Sequence, residues 1–169
     1  MAYSIRPLAK EDEPFLWQML YEAAHMADNH EPLAAVMNNP DLAKYVKDWG
    51  RTDDMGFLAI ALTSHQSIGA AWIRLLTGDN KGYGYIDDVT PELAIAVLPE
   101  HRGNGVGTQL IAHLLEAAKA SYPSVSLSVR ATNPAKRLYE RLGFRVIDGS
   151  ESVNRTGGTS LNMKVDLLR

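Results

Sequence analysis

No cysteine occurs among the 169 residues. Disulfides, thiolate metal centres and cysteine nucleophiles are therefore excluded. Long apolar runs are also missing. The longest clearly apolar one, Phe57 to Leu62, falls far short of the roughly 20 residues needed to span a bilayer. Positive charge is not in excess: 17 Lys and Arg stand against 20 Asp and Glu, a formal net charge of -3. That balance argues against a nucleic-acid partner, which calls for a basic face. Met1 to Pro7 lacks the charged-then-apolar pattern of a signal peptide. His25, His30, His65, His101 and His113 form no H-E-x-x-H or other ligand spacing, so no metal is expected. The G-x-S-x-G elbow of serine hydrolases is absent. A cytoplasmic protein without membrane or nucleic-acid partners is expected.

What is present fits one folded domain covering 1–169. The chain is 46% hydrophobic and 22% charged, and is long enough to bury a full core. Tyr3 to Arg6 reads as an edge strand. Acids and Pro14 open an amphipathic helix over 13–26, with Leu16, Met19, Leu20 and Ala23 at helical spacing. After a break marked by Pro32 and Pro40, Asp41 is expected to cap a second helix running to about Trp49. Residues 56–63 and 68–76 read as a strand pair joined by a turn, followed by a glycine-rich loop from Gly78 to Gly84. Residues 91–98 form the next strand. Val106, Leu110, Ile111, Leu114, Leu115 and Ala118 mark one stripe of a long helix. A strand at 125–129, a short helix at 133–142, a strand beginning at Phe144, a polar loop at 149–158 and a strand at 159–167 complete the chain. In that last strand Leu161, Met163, Val165 and Leu167 share one face. The order predicts a mixed α/β (α+β) domain on one largely antiparallel sheet.

The most informative stretch is Pro99-Glu-His-Arg-Gly-Asn-Gly-Val-Gly-Thr-Gln-Leu110. It links a strand to a helix start through three glycines at alternate positions. A helix start offers unpaired N–H groups and a partial positive charge, which suits phosphate. A Walker loop would need Lys followed by Ser or Thr after the last glycine, whereas Gly107 is followed by Thr108 and Gln109. The G-x-G-x-x-G spacing of dinucleotide folds fails too, since Thr108 or Leu110 falls at its last position.

Arg102-x-x-Gly105-x-Gly107, after a strand and opening a helix, resembles the pyrophosphate-binding motif of the GNAT superfamily of acyl-CoA N-acyltransferases. Glu92 to Val97 resembles that family's fourth strand. Asn133-x-Ala135-x-x-x-Tyr139-x-x-x-Gly143-Phe144 resembles its second signature. The resemblance implies a GNAT fold, with a mostly antiparallel sheet of about six to seven strands flanked by about four helices. It implies acetyl-CoA as cosubstrate, with main-chain N–H groups of Arg102, Gly103, Asn104, Gly105, Val106, Gly107 and Thr108 holding the pyrophosphate. Main-chain groups of Ile95 and Val97 would meet the pantetheine arm. Asn133 would bind the arm or cap its helix, and Ala135 belongs to the same cofactor-binding motif.

Transfer of an acetyl group to an amine needs a base, a polarised carbonyl and help for the departing thiolate. Tyr139 is the candidate acid; the resemblance puts its hydroxyl near the sulfur. Glu92 is the candidate base, acting directly or through water. It shares strand parity with Ala94 and Ala96, whose small side chains leave room. Asp87 and Asp88 could bind a cationic acceptor but read first as solvated loop acids. Trp17, Tyr21, His25 and Trp49 could line an acceptor pocket but read first as packing residues. The expected activity is direct transfer in a ternary complex to a primary amine of a small molecule or peptide. A noncatalytic CoA-binding or ligand-sensing module, or transfer of another acyl group, stays open, as does a homodimer.

Overall fold

The computed structural model describes residues 2–154 and 156–167. The chain order is β1 (Tyr3–Pro7), α1 (Glu13–Ala23), α2 (Leu33–Met37), α3 (Pro40–Ala43), β2 (Met55–Ala61), β3 (Ser67–Arg74) and β4 (Glu92–Val97). It continues with α4 (Val106–Ala118), β5 (Ser124–Arg130), α5 (Ala135–Arg141), β6 (Arg145–Val146), β7 (Ser152–Val153) and β8 (Thr159–Asp166). The strands form one eight-stranded sheet in the order β1-β2-β3-β4-β5-β8-β6, with β7 also on β8. Every pairing is antiparallel except β4 with β5. Among the described residues no helix is long and apolar enough to cross a membrane.

Each face of the sheet carries its own core. The stripe on α4 is buried in full and packs with β5, Tyr139, Phe144 and the Met163 face of β8. On the other face Leu16, Met19 and Leu20 of α1 pack with Trp49, Leu58 and Trp72. Alternation along β4 divides its side chains between them. Leu93, Ile95 and Val97 join the α4 side; Ala94 and Ala96 join the α1 side. Glu92 therefore points towards the N-terminal helices.

Several boundaries differ from expectation. α1 stops at Ala23, three residues early, and a 3-10 turn follows at Met26–Asn29. The helix expected from Asp41 to Trp49 is α3 and stops at Ala43, while α2 forms at Leu33–Met37, inside the stretch expected to be loop. The cap of α3 is Asn39, whose side chain accepts the Asp41 N–H at 3.0 Å. Beyond Lys44 the chain is held by tertiary donors. Arg74 Nη1 donates to the carbonyls of Lys44 and Lys47 at 3.0 and 2.7 Å, and Trp72 Nε1 donates to that of Tyr45 at 2.9 Å. β6 falls in the strand expected from Phe144 but is two residues long, and β7 forms within the polar loop expected at 149–158, which brings the strands among the described residues to eight.

Arg74 fixes this segment from beneath. Its Nε and Nη2 donate to both oxygens of Asp54 at 2.9 and 2.7 Å, and its guanidinium lies 5.4 Å from the centre of the Trp49 ring. Both side chains of the pair are almost fully buried. Removing one partner strands the other charge. Asp54→Ala is expected to lower stability by roughly 3 kcal/mol in chemical denaturation, and to loosen the segment that carries Tyr45.

Candidate active site

The mouth of α4 is built by backbone conformation. Gly103 and Gly105 have φ of 82° and 79°, a region that side chains other than glycine adopt at a cost. A Cβ at either would meet nothing within 4 Å, so conformation rather than packing calls for glycine there. Gly107 differs: a Cβ would make ordinary contacts of 3.6–3.9 Å with Ile95, Leu138 and Val97. α4 has no side-chain N-cap, and the Gln109 N–H already turns back to the Gly105 carbonyl at 3.1 Å. The first-turn N–H groups are thus open to an anion.

Arg102 turns away from this mouth. Its Nε donates to the Val97 carbonyl at 2.9 Å and its Nη2 to Glu22 on α1 at 3.3 Å. The Asn104 amide donates to the His101 carbonyl at 3.3 Å.

β4 and β5 meet at one register position, Glu92 opposite Ser126, and separate beyond it. The Ser126 N–H donates to Pro91 on this edge at 3.0 Å, while the Leu98 N–H donates to Ile68 of β3 at 2.8 Å. Strand alternation therefore turns the main-chain groups of Ile95 and Val97 towards the gap. Ile95 keeps its groups available there; the Val97 carbonyl holds Arg102.

Glu92 sits at the closed end of that gap and is 5% exposed. Its Oε2 accepts the Tyr45 hydroxyl at 2.6 Å, and the Tyr45 oxygen accepts the Tyr83 N–H at 2.8 Å. Glu92 Oε1 makes no hydrogen bond among the described residues. The loop before β4 lies directly on the carboxylate. A Cβ on Gly82 would overlap Oε1, and one on Gly84 would lie 2.9 Å from Cδ. Burial pushes the Glu92 carboxyl up to about 7. The Tyr45 hydrogen bond, the Gly84 main chain and the Lys44 charge pull the other way.

Tyr139 projects from α5, 8% exposed, with its ring edge-on to Phe144 at 6.0 Å. Burial pushes its phenol up to about 12, so it stays protonated at neutral pH. Asn133 Oδ1 accepts the Ala135 N–H at 2.9 Å, holding the start of α5.

Of the residues singled out from sequence for catalysis or cofactor binding, all except Asn104 lie in the wall of a single cavity of about 880 Å³. The residues singled out from sequence are thus brought together from β4, the α4 mouth and α5. Asp87 and Asp88 lie outside the cavity wall; Asp88 accepts the Tyr85 hydroxyl and Asp87 the Val89 N–H. Trp17 and Trp49 belong to the core, and Tyr21 donates to the Glu31 carbonyl, while His25 does reach the cavity. Tyr45 and Tyr83, which sequence reasoning missed, line it too. Their only signal is the paired glycines at 82 and 84, which leave space above a strand. Among the described residues no cluster of three or more His, Asp or Glu could hold a metal ion.

The fold has many solved counterparts. A spermidine N-acetyltransferase SpeG chimera from Vibrio cholerae and hSSAT is similar at 22% identity and a TM-score of 0.67, over 99% of this chain and 96% of that one. A GNAT-family acetyltransferase from Staphylococcus aureus gives 15% and 0.70, over 99% and 100%. The ribosomal-protein-S18-alanine N-acetyltransferase from Escherichia coli gives 18% and 0.66, over 99% and 96%. No curated protein gives a significant match by sequence. The model of the Acetyltransferase (GNAT) family matches residues 4–144. With the glycine mouth, the parted strands and Tyr139 all inside that span, the chain belongs to the GNAT family of acetyltransferases.

Proposed function

We propose that the protein is an acetyl-CoA-dependent N-acetyltransferase acting on a primary amine of a small molecule or peptide. One observation carries this reading: a single cavity joins an uncapped helix mouth, an open strand edge, a buried carboxylate and a buried phenol. The open N–H groups and positive-φ glycines of the mouth fit a pyrophosphate held by the main chain of Arg102 to Thr108. The main-chain edge at Ile95 fits a pantetheine amide. Val97 joins it once Arg102 releases the carbonyl it now holds. Asn133 keeps its amide NH₂ for the same arm, since its oxygen serves Ala135. Acetyl-CoA supplies the activated acyl carbonyl.

The remaining chemistry belongs to the chain. An ammonium acceptor has no lone pair, so a base must take its proton. A carboxylate lifted to about 7 is half ionised near neutral pH and matched to that task, directly or through a water. Tyr139 faces the other charge. A phenol near 12 would give up its proton to a thiolate of ordinary basicity, near 8.5, only uphill by roughly 3 units. Its main contribution is therefore a hydrogen bond to the departing sulfur, worth roughly 1.5–3 kcal/mol for a charged partner. Tyr139→Phe is expected to lower kcat about 10- to 100-fold while leaving acetyl-CoA affinity close to that of the parent. Unchanged turnover would remove the role. With no cysteine to carry the acyl group, transfer is direct in a ternary complex. The names of the spermidine and ribosomal-protein-alanine N-acetyltransferases support an amine acceptor.

Acetyl-CoA at about 100 times its Kd should stabilise the native state by about 2.7 kcal/mol. For a chain of this size that raises Tm by roughly 5–10 °C. No rise in Tm at saturating acetyl-CoA would overturn the cosubstrate assignment.

A further inference from the structure

Tyr45 lies 47 residues before Glu92 and touches it through one oxygen, and nothing in the mechanism above uses it. We infer that Tyr45 is a positioning residue for Glu92: its hydroxyl fixes Oε2, anchors the loop at Tyr83, and leaves Oε1 as the carboxylate oxygen without a hydrogen-bond partner among the described residues. The inference rests on reading Glu92 as the base.

The geometry is specific at each joint. Tyr45 spends its proton on Glu92 at 2.6 Å and its lone pair on the Tyr83 N–H at 2.8 Å. One hydroxyl therefore ties the carboxylate to the loop that covers it. Its own backbone is clamped from β3, because Trp72 takes the Tyr45 carbonyl and Arg74 the neighbouring Lys44 carbonyl. The ring is 5% exposed, so it has little freedom to swing. The same hydroxyl leaves Oε1 as the buried oxygen with no partner among the described residues. Gly82 and Gly84 are the only residue type that allows the loop to lie so close.

The charged and titratable groups around Glu92 are accounted for. Lys44 lends a favourable field from the segment after α3. Arg74, its register partner on β3, is committed to Asp54. On α1, Glu22 faces Arg102, and Glu13 accepts from Trp17 and from the Trp49 N–H. β5 presents Ser126, whose hydroxyl donates to the Gly84 carbonyl. Among the described residues Tyr45 is thus the one side chain that donates a hydrogen bond to the carboxylate, and losing that bond disfavours the ionised form.

The test is carboxyl titration in the unliganded protein by NMR with ¹³C-labelled glutamate, Glu92→Gln assigning the signal. Tyr45→Phe is expected to raise the Glu92 midpoint by about one pH unit and to move the acid limb of kcat/KM by the same amount, with KM for acetyl-CoA unchanged. A midpoint that stays put or falls in Tyr45→Phe overturns the positioning role. A parent midpoint near 4.5 instead overturns Glu92 as base, and the inference with it. Should Tyr45→Phe fail to fold, Gly82→Ala carries the same test. Its methyl would overlap Oε1 and lie 2.6 Å from the Tyr45 hydroxyl oxygen, which disturbs this pair at its joint, so an unshifted midpoint there also overturns the inference.

Discussion

Glu92→Gln is expected to cut kcat/KM by roughly 10²- to 10³-fold near neutral pH, the usual range for losing a positioned base. The parent rate should rise as pH increases through about 7, because the working form is the carboxylate. The variant should lose that limb. An intact limb would put the base elsewhere.

Stability should move the opposite way. The folded carboxyl titrates near 7 and the unfolded one near 4.5, so the native state holds its proton more tightly. The stabilisation from the protonated form is complete below 4.5 and lost as pH rises through 7. A shift of this size corresponds to about 3 kcal/mol. Glu92→Gln never ionises and should melt higher than the parent at pH 8, with the difference fading in acid. A variant that is less active and more stable at alkaline pH is the signature of a buried charge kept for chemistry.

Gly105→Val is expected to abolish acetyl-CoA binding while leaving the fold standing. The φ of 79° is costly for a branched side chain, about 1–2 kcal/mol, yet a Cβ there meets nothing within 4 Å. Local strain without a core clash should redirect the N–H groups at the α4 mouth. Affinity measured calorimetrically should fall by 100-fold or more, a loss of about 2.7 kcal/mol, with far-UV circular dichroism unchanged. Gly149→Ala is the control. Its φ of 77° is equally strained, it too has nothing within 4 Å, and it lies outside the cavity. If both variants bind acetyl-CoA as the parent does, the mouth is not the pyrophosphate site.

The periodic elements were legible in the chain because one buried face writes itself into the residue order. The α4 stripe from Val106 to Ala118 and the Leu161–Leu167 alternation of β8 both meet their expected cores. The glycine mouth was legible because left-handed backbone selects glycine at 103 and 105. What depends on distant partners was not. α3 stops at Ala43, and the segment beyond it is held by Arg74 and Trp72, some 30 residues on, which take the carbonyls of Lys44, Tyr45 and Lys47. Arg102 turns back because a strand carbonyl and Glu22 on another helix lie within its reach. Glu92 showed its parity but not its depth, since the loop and the tyrosine that cover it carry no period.

The central claim is transfer of an acetyl group to nitrogen. Its most direct measurement incubates the protein with acetyl-CoA and a panel of primary amines, from polyamines to peptide N-termini, and follows free CoA together with acceptor mass. One acetyl group on an amine nitrogen per CoA released is the expected result, lost in Glu92→Gln. Acetyl-CoA that binds tightly while no amine in the panel gains an acetyl group would contradict it.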